Sequence, residues 1–263
     1  MRTKGASRLV RTAGPRVPVG LGAHGLFDGY RALCGALPPN EVLPSVAALD
    51  AAWLAPLRAS GRTDLALEVQ PEARRRGPRK LEDLYDVRIA SARRVPTREG
   101  SWHDAMNALV VATYPATKDA IHRRHRGELE AHFREHGGLP NARSRLQDVL
   151  ALFDEGGLVI VAREATVSVL EDLVVRGDPA KLGRAIAETN SRALVFGHAV
   201  LEHAVLGAPL PRAFAVVVAD TSPHDDEAIL TPRLDVALTA VANALSTTSS
   251  APGQRLGELF CLA

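Results

Sequence analysis

Apolar side chains recur at helical spacing through most of this chain and form short extended runs in only a few places. Between Ser45 and Arg58 the positions Val46, Leu49, Trp53 and Leu57 share one helical face. Leu65 to Val69 reads as a strand, and residues 81–89 as a helical turn. After a loop from Pro96 to Ser101, the pattern predicts a helix from Ser101 to about Thr113. Pro115, suited to a first helical turn, opens another that Gly137, Gly138 and Pro140 stop after about His136. A helix over about Ala142 to Phe153 is ended by Gly156 and Gly157 and followed by a buried-type strand, Leu158 to Ala162. Glu164 to Val175 reads as helical. Asp178 and Pro179 form a cap with proline at the first position and open a long helix through about Leu206. Ala213 to Ala219 is the third expected strand, and Thr231 with Pro232 opens a last helix to about Leu245.

These elements predict a mainly helical α+β fold, with a small β-sheet of about three strands covered by helices. The organisation expected is a flexible basic arm over residues 1–25, one globular domain over 26–245 and a tail over 246–263.

Composition narrows the function classes. The 263 residues are 46% hydrophobic, enough for a sizeable core. A net charge of +2 gives no strong overall pull toward nucleic acid or a membrane. The basic residues are uneven: Arg2, Lys4, Arg8, Arg11 and Arg16 precede the first acid, Asp28, and a second run holds Arg74, Arg75, Arg76, Arg79 and Lys80. Aromatic residues are only 4%, which argues against stacking recognition of bases, so nucleic acid is not an expected partner. Cys34 and Cys261 match no metal-site or redox spacing and point to a reduced compartment. With no run near the length of a bilayer span and no apolar core to the first 20 residues, a cytoplasmic protein without a membrane partner is expected. The stretch Gly20 to Gly25 imitates a nucleotide loop but follows a basic arm, not a strand. Neither a nucleophilic triad nor a dinucleotide fingerprint is present.

Candidate chemistry concentrates in three places. His103 and Asn107 share a helix face beside an apolar face containing Trp102, Met106 and Leu109. Asp104 is three residues after Ser101, so it reads equally as half of a capping box or as a reactive carboxylate. On the next helix His122 and His125 lie among Arg123, Arg124 and Arg126 and read as a solvated basic face, with His132 and His136 as surface residues. Asp154 and Glu155 stand in the last turn of a helix, where its dipole mildly disfavours acids. Asp148 shares a face with Glu155, and an exposed turn paired to Arg145 is the plain alternative. His198 falls in an apolar stripe with Leu194, Leu201 and Val205, so it is expected to be buried with a partner, Glu202 being one candidate. Gly197 beside it suits close packing or a ligand.

Taken together, these pieces resemble a bacterial family known as domain of unknown function 3025, over roughly Tyr85 to Leu206. The resemblance rests on Tyr85 to Ile89, Val95 to Arg98, Trp102-His-Asp104 with Asn107 to Leu109, then Pro115, Lys118 and His125. It continues through Asp148, Phe153 to Glu155 with Gly157, and Phe196 to Ala199 with Glu202. Two positions depart from the family pattern: His122 stands where Asn is usual, and Val111 replaces an aromatic residue. The resemblance implies a set of site residues, adding Trp102, Asn107, Lys118 and His125 as candidates, and implies no reaction.

Two functions are expected from these residues. The first is a metal-dependent hydrolase: His103, His198 and Glu202, with Asp154 or Asp104, would hold a divalent ion such as Zn²⁺ or Mn²⁺. Glu155 or Asp148 would act as general base, and Arg98 would hold an anionic group of a small-molecule substrate. The second is a non-catalytic protein that binds a small ligand or a partner through a buried polar network.

Overall fold

The chain's caps decide where its helices begin and end. A computed structural model describes residues 16–70 and 80–249 and the backbone of 254–255. Most of the expected basic arm, Cys261 and the arginines of the Arg74–Arg79 run lie outside the described residues. From Arg16 the chain is already packed: Arg16 pairs with Val42, and Val17 and Leu21 are buried in the core.

A short helix, α1 (Arg31–Cys34), precedes α2 (Val46–Leu49), whose N-terminal Ser45 accepts the Ala48 N–H at 3.2 Å. One π-helical turn, Asp50–Leu54, carries α2 into α3 (Ala55–Ala59). The helices that follow are α4 (Tyr85–Ala92), α5 (Trp102–Thr113) and α6 (Pro115–His136). Gly137, at φ 70°, closes α6 in the left-handed conformation that glycine adopts without strain. Next come α7 (Arg145–Gly156), α8 (Glu164–Arg176), α9 (Pro179–Glu188), α10 (His198–Val205) and α11 (Glu227–Ala244).

The strands form two sheets. β1 (Ala66–Val69) and β2 (Arg94–Thr97) make a two-stranded parallel pair. β3 (Gly157–Ala162), β4 (Arg192–Val195), β5 (Arg212–Ala219) and β6 (Gln254–Arg255) form the second sheet in the order β4-β3-β5-β6. There β3 and β5 are parallel, while β4 and β6 are antiparallel to their neighbours. All six residues of β3 are buried, as its continuous apolar run requires. One hydrophobic cluster joins the helices to this sheet, with Trp53, Met106, Phe153, Phe196 and Leu238 at or near zero exposure.

The mainly helical α+β class is the one expected, and the three expected strands are β1, β3 and β5. Three differences bear on the site. The segment expected as a loop from Pro96 begins with β2, which pairs only with β1 at an edge, where the missing N–H of Pro96 is tolerated. The long helix expected from Asp178 to Leu206 is two helices with β4 between them; Asn190, at φ 51°, breaks it. The last helix starts at Glu227, so Pro232 lies inside it and leaves the Ala228 carbonyl without its usual donor.

Candidate functional site

Three local arrangements bring the polar residues of distant elements together. At the start of α5, Ser101 accepts the Asp104 N–H at 3.3 Å, the expected cap. The Asp104 carboxylate does not complete a capping box. It accepts the Arg98 backbone N–H at 2.7 Å and two guanidinium N–H groups at 2.8 Å each. This bidentate pair closes the turn between β2 and α5 and aims Arg98.

The second arrangement is a crossing of backbones. β3 follows α7 with no intervening residue, and the Gly157 carbonyl accepts the N–H groups of both Phe196 and Gly197 at 2.9 Å. A Cβ on Gly197 would lie 2.5 Å from the Glu155 carbonyl oxygen and 2.6 Å from both Gly156 Cα and Gly157 N. Gly197 therefore serves the close-packing role. This crossing seats His198, the first residue of α10, over the end of α7, where its Nδ1 donates to the Asp154 carbonyl at 2.9 Å. The third is the inner stripe of α6, where Lys118, His122, His125 and Leu129 are all buried.

These parts surround a cavity of about 410 Å³ between α4, α5, α6, α7 and α10. Its wall is a connected network. Lys118 Nζ, fully buried, donates to the Asp154 carboxylate and, at 2.6 Å, to Asn107 Oδ1. Asn107 Nδ2 donates to the Tyr85 hydroxyl at 2.7 Å. Across the cavity His122 Nδ1 donates to Asp86 at 2.9 Å, and His103 Nδ1 donates to Glu202 at 2.9 Å. The His103 and His198 rings meet edge to face with centres 4.7 Å apart.

Environment sets the protonation of each group. Burial, reinforced by Lys118 and His103 and only partly offset by Asp154, pushes the His198 imidazole down to about 3. It is therefore neutral at ordinary pH. Because a carbonyl only accepts, Nδ1 carries its hydrogen and Nε2 presents a lone pair. The hydrogen bond to Glu202 outweighs partial burial and raises His103 above the usual histidine range. Burial opposes ionisation of Asp154, but the Lys118 charge and hydrogen bond hold its carboxyl well below the usual range. This counter-charge explains how an acid is tolerated in the last turn of α7. An NMR titration of metal-free protein is expected to show His198 neutral down to about pH 4, with His103 taking up its proton above the ordinary value near 6.5. A His198 ring that titrates near 6 would contradict its enclosure.

Of the expected site residues, Arg98, His103, Asp104, Asn107, His125, Asp154, Glu155 and His198 line this cavity. Lys118 and Glu202 stand just behind the lining, each bonded to a lining residue. Asp148 lies elsewhere: it is exposed and borders a neighbouring depression that also touches Glu155. Trp102 is a core residue, 3% exposed. Two expectations are corrected. Glu202 partners His103 and not His198, because the His198 Nδ1 is taken by the Asp154 carbonyl at the end of α7. His122 and His125 are not a solvated face but are 1% and 6% exposed. Among the described residues, no three His, Cys, Asp or Glu side chains converge as a metal-ligand set. Asp104 and Asp154 are engaged by Arg98 and Lys118, and Glu202 reaches only the outer nitrogen of His103.

Sequence reasoning missed Tyr85, Asp86, His122 and Arg143 in the lining. The 118, 122, 125, 129 spacing was a legible signal for His122, since it ends on an apolar residue and defines one inward stripe.

The fold and cavity define a mostly helical α+β domain built around a buried polar network. The chain belongs to the family described as Protein of unknown function (DUF3025), whose model matches residues 74–255, more than half of the sequence. No curated protein and no solved structure matches it. Among the described residues, no helix is long and apolar enough to cross a membrane.

Proposed function

We propose that this protein binds a small polar molecule in the cavity, with the ion-paired network as its wall. The observation that carries this reading is His122 Nε2. Among the described residues it is the one side-chain nitrogen or oxygen fully shielded from solvent without a hydrogen-bond partner, and its ring lines the cavity. An unmatched buried polar atom costs about 1–3 kcal/mol, which a bound molecule recovers by drawing the ring toward it and supplying the missing partner. Arg98 with Asp104 and Lys118 with Asp154 are matched in pairs, so these parts of the wall are already organised for a polar guest.

Thermal-shift screening of small polar compounds (sugars, nucleosides, amino acids, carboxylates and phosphates) tests it. At least one class is expected to stabilise the protein, by about 2.7 kcal/mol at a hundredfold excess over its dissociation constant. The His122→Asn variant, which keeps a donor for Asp86 and removes the ring, is expected to lose most of that gain. A screen in which no class raises the melting temperature rejects the reading and leaves the network as scaffolding.

One observation supports metal-assisted hydrolysis as a second reading. Glu155 lines the cavity and has no side-chain partner among the described residues, as a general base requires. Hydrolysis of nitrophenyl ester and phosphate probes with Zn²⁺ or Mn²⁺, lost in Glu155→Gln, would favour it. Turnover unaffected by that change would remove it.

A further inference from the structure

We propose that His103 and His198 form a seat for one divalent transition-metal cation, held by their Nε2 atoms with water in the remaining positions. Each ring has its Nδ1 engaged by an acceptor, Glu202 for His103 and the Asp154 carbonyl for His198. Neither Nε2 has a partner among the described residues. Such outer bonds are what fix the tautomer and direction of a metal-binding imidazole and raise its basicity. Glu202 and the Asp154 carbonyl thus act as positioning groups and not as ligands, which differs from the ligand set expected from sequence.

The spacing also fits. Two imidazoles bound to one ion at about 2.0–2.1 Å through Nε2 have ring centres about 4.5 Å apart at a right angle and about 5.2 Å apart at the tetrahedral angle, and here the centres are 4.7 Å apart with planes at 73°. Charge favours a cation. In and just behind the wall that the two rings share stand the carboxylates of Asp86, Asp104, Asp154, Glu155 and Glu202 against the cations Arg98, Lys118 and Arg143, five to three. A cation that displaces the His103 Nε2 proton therefore meets surroundings with excess negative charge. A two-nitrogen seat suits Zn²⁺, Cu²⁺ or Ni²⁺ over Mg²⁺ or Ca²⁺. His103 is the open side, since its side chain is 38% exposed while that of His198 is 6% exposed. The seat lies in the wall of the proposed ligand cavity, so any contact between ion and guest rests on that reading, whereas cation binding does not.

Calorimetric titration of Zn²⁺ alone into the chelator-treated full chain tests the proposal. The stacked, accessible pair His132 and His136 on α6 is a competing site, so the titration is run in a His136→Ala background. One ion per chain is expected to bind. His103→Ala should weaken it at least tenfold, and Glu202→Gln, which leaves both imidazoles in place, by about 10–100-fold. The Glu202 arm separates a built seat from chance capture by two neighbouring rings. No one-to-one binding up to about 1 mM Zn²⁺ overturns the proposal, as does binding that neither His103→Ala nor Glu202→Gln alters. If a variant fails to fold, judged by circular dichroism, the parent decides: Zn²⁺ must shift the His103 and His198 ring resonances together at one equivalent, and resonances that do not move overturn the seat. Loss of the seat with retained binding of a polar compound would leave the ligand cavity standing.

Discussion

Replacing Gly197 with alanine is expected to destabilise this protein by more than about 4 kcal/mol, at the extreme of what single substitutions do. The reason is steric and local. The three atoms nearest the added Cβ, at 2.5–2.6 Å, all belong to the backbone of residues 155–157. Backbone at a helix-to-strand junction cannot rotate aside as a long side chain would. The Gly197 φ of −67° is ordinary, so alanine loses nothing by conformational preference there, and the effect isolates the contact. Relief requires α10 to move away from α7, which lengthens the two hydrogen bonds to the Gly157 carbonyl and lifts His198 off Asp154. Thermal or denaturant melting measures the loss. A cost below about 1 kcal/mol would mean that the two backbones do not cross in contact.

That crossing shows where sequence reading stops. The limits of α6 follow from Pro115 and Gly137, because a proline at the first turn and a left-handed glycine past the last are local requirements. The burial of Trp53 and Phe153 follows from periodicity in the same way. β4 was not legible for an equally physical reason. Leu194, His198, Leu201 and Val205 keep helical phase from β4 into α10, and no Gly or Pro separates α9 from β4. The break is made by Asn190 in the left-handed region and by the Ser191 N–H reaching back to the Ile186 carbonyl at 2.9 Å. β4 then exists by pairing with β3, more than thirty residues earlier, which no local window contains.

The site divides along the same line. Spacing places Arg98, His103, Asp104 and Asn107 near one helix start, and it marks His198 as buried. Partner choice is tertiary. The capping pattern offered Asp104 to its own helix, yet the Arg98 guanidinium, which forms two bonds at once, takes the carboxylate. Lys118 becomes a candidate through the family resemblance alone, and its stripe with His122, His125 and Leu129 is what places it inside.

Lys118 carries the second large expected effect. Its side chain is fully buried, and its ammonium is the counter-charge of Asp154. Lys118→Met keeps the volume and removes the charge, stranding a carboxylate in the cavity wall at an expected cost of about 3–5 kcal/mol near neutral pH. For a chain of this size that is a fall of roughly 10 °C in melting temperature. The loss is expected to depend on pH in a direction fixed by linkage. In the native protein the Asp154 carboxyl is held low against burial by Lys118, so its stabilising contribution is present above the unfolded value near 3.9 and is lost as pH falls below it. Without Lys118, burial dominates and the folded value rises above the unfolded one. The protonated acid is then the compatible form, so the variant's Asp154 penalty is absent below about pH 4 and grows as pH rises through the folded value. The gap in stability between the two proteins should therefore be widest at pH 7–8 and narrow toward pH 4. A residue of about 1 kcal/mol should persist for the lost bond to Asn107 Oδ1. Adding Asp154→Leu to Lys118→Met removes the stranded charge and is expected to recover most of the neutral-pH loss, since the His198 bond uses the Asp154 backbone and not its side chain. Melting curves of the four proteins between pH 4 and 8 check this cycle. A gap that does not change with pH, or a double variant as unstable as the single one, would show that Lys118 acts through packing and not as the charge that holds Asp154 ionised.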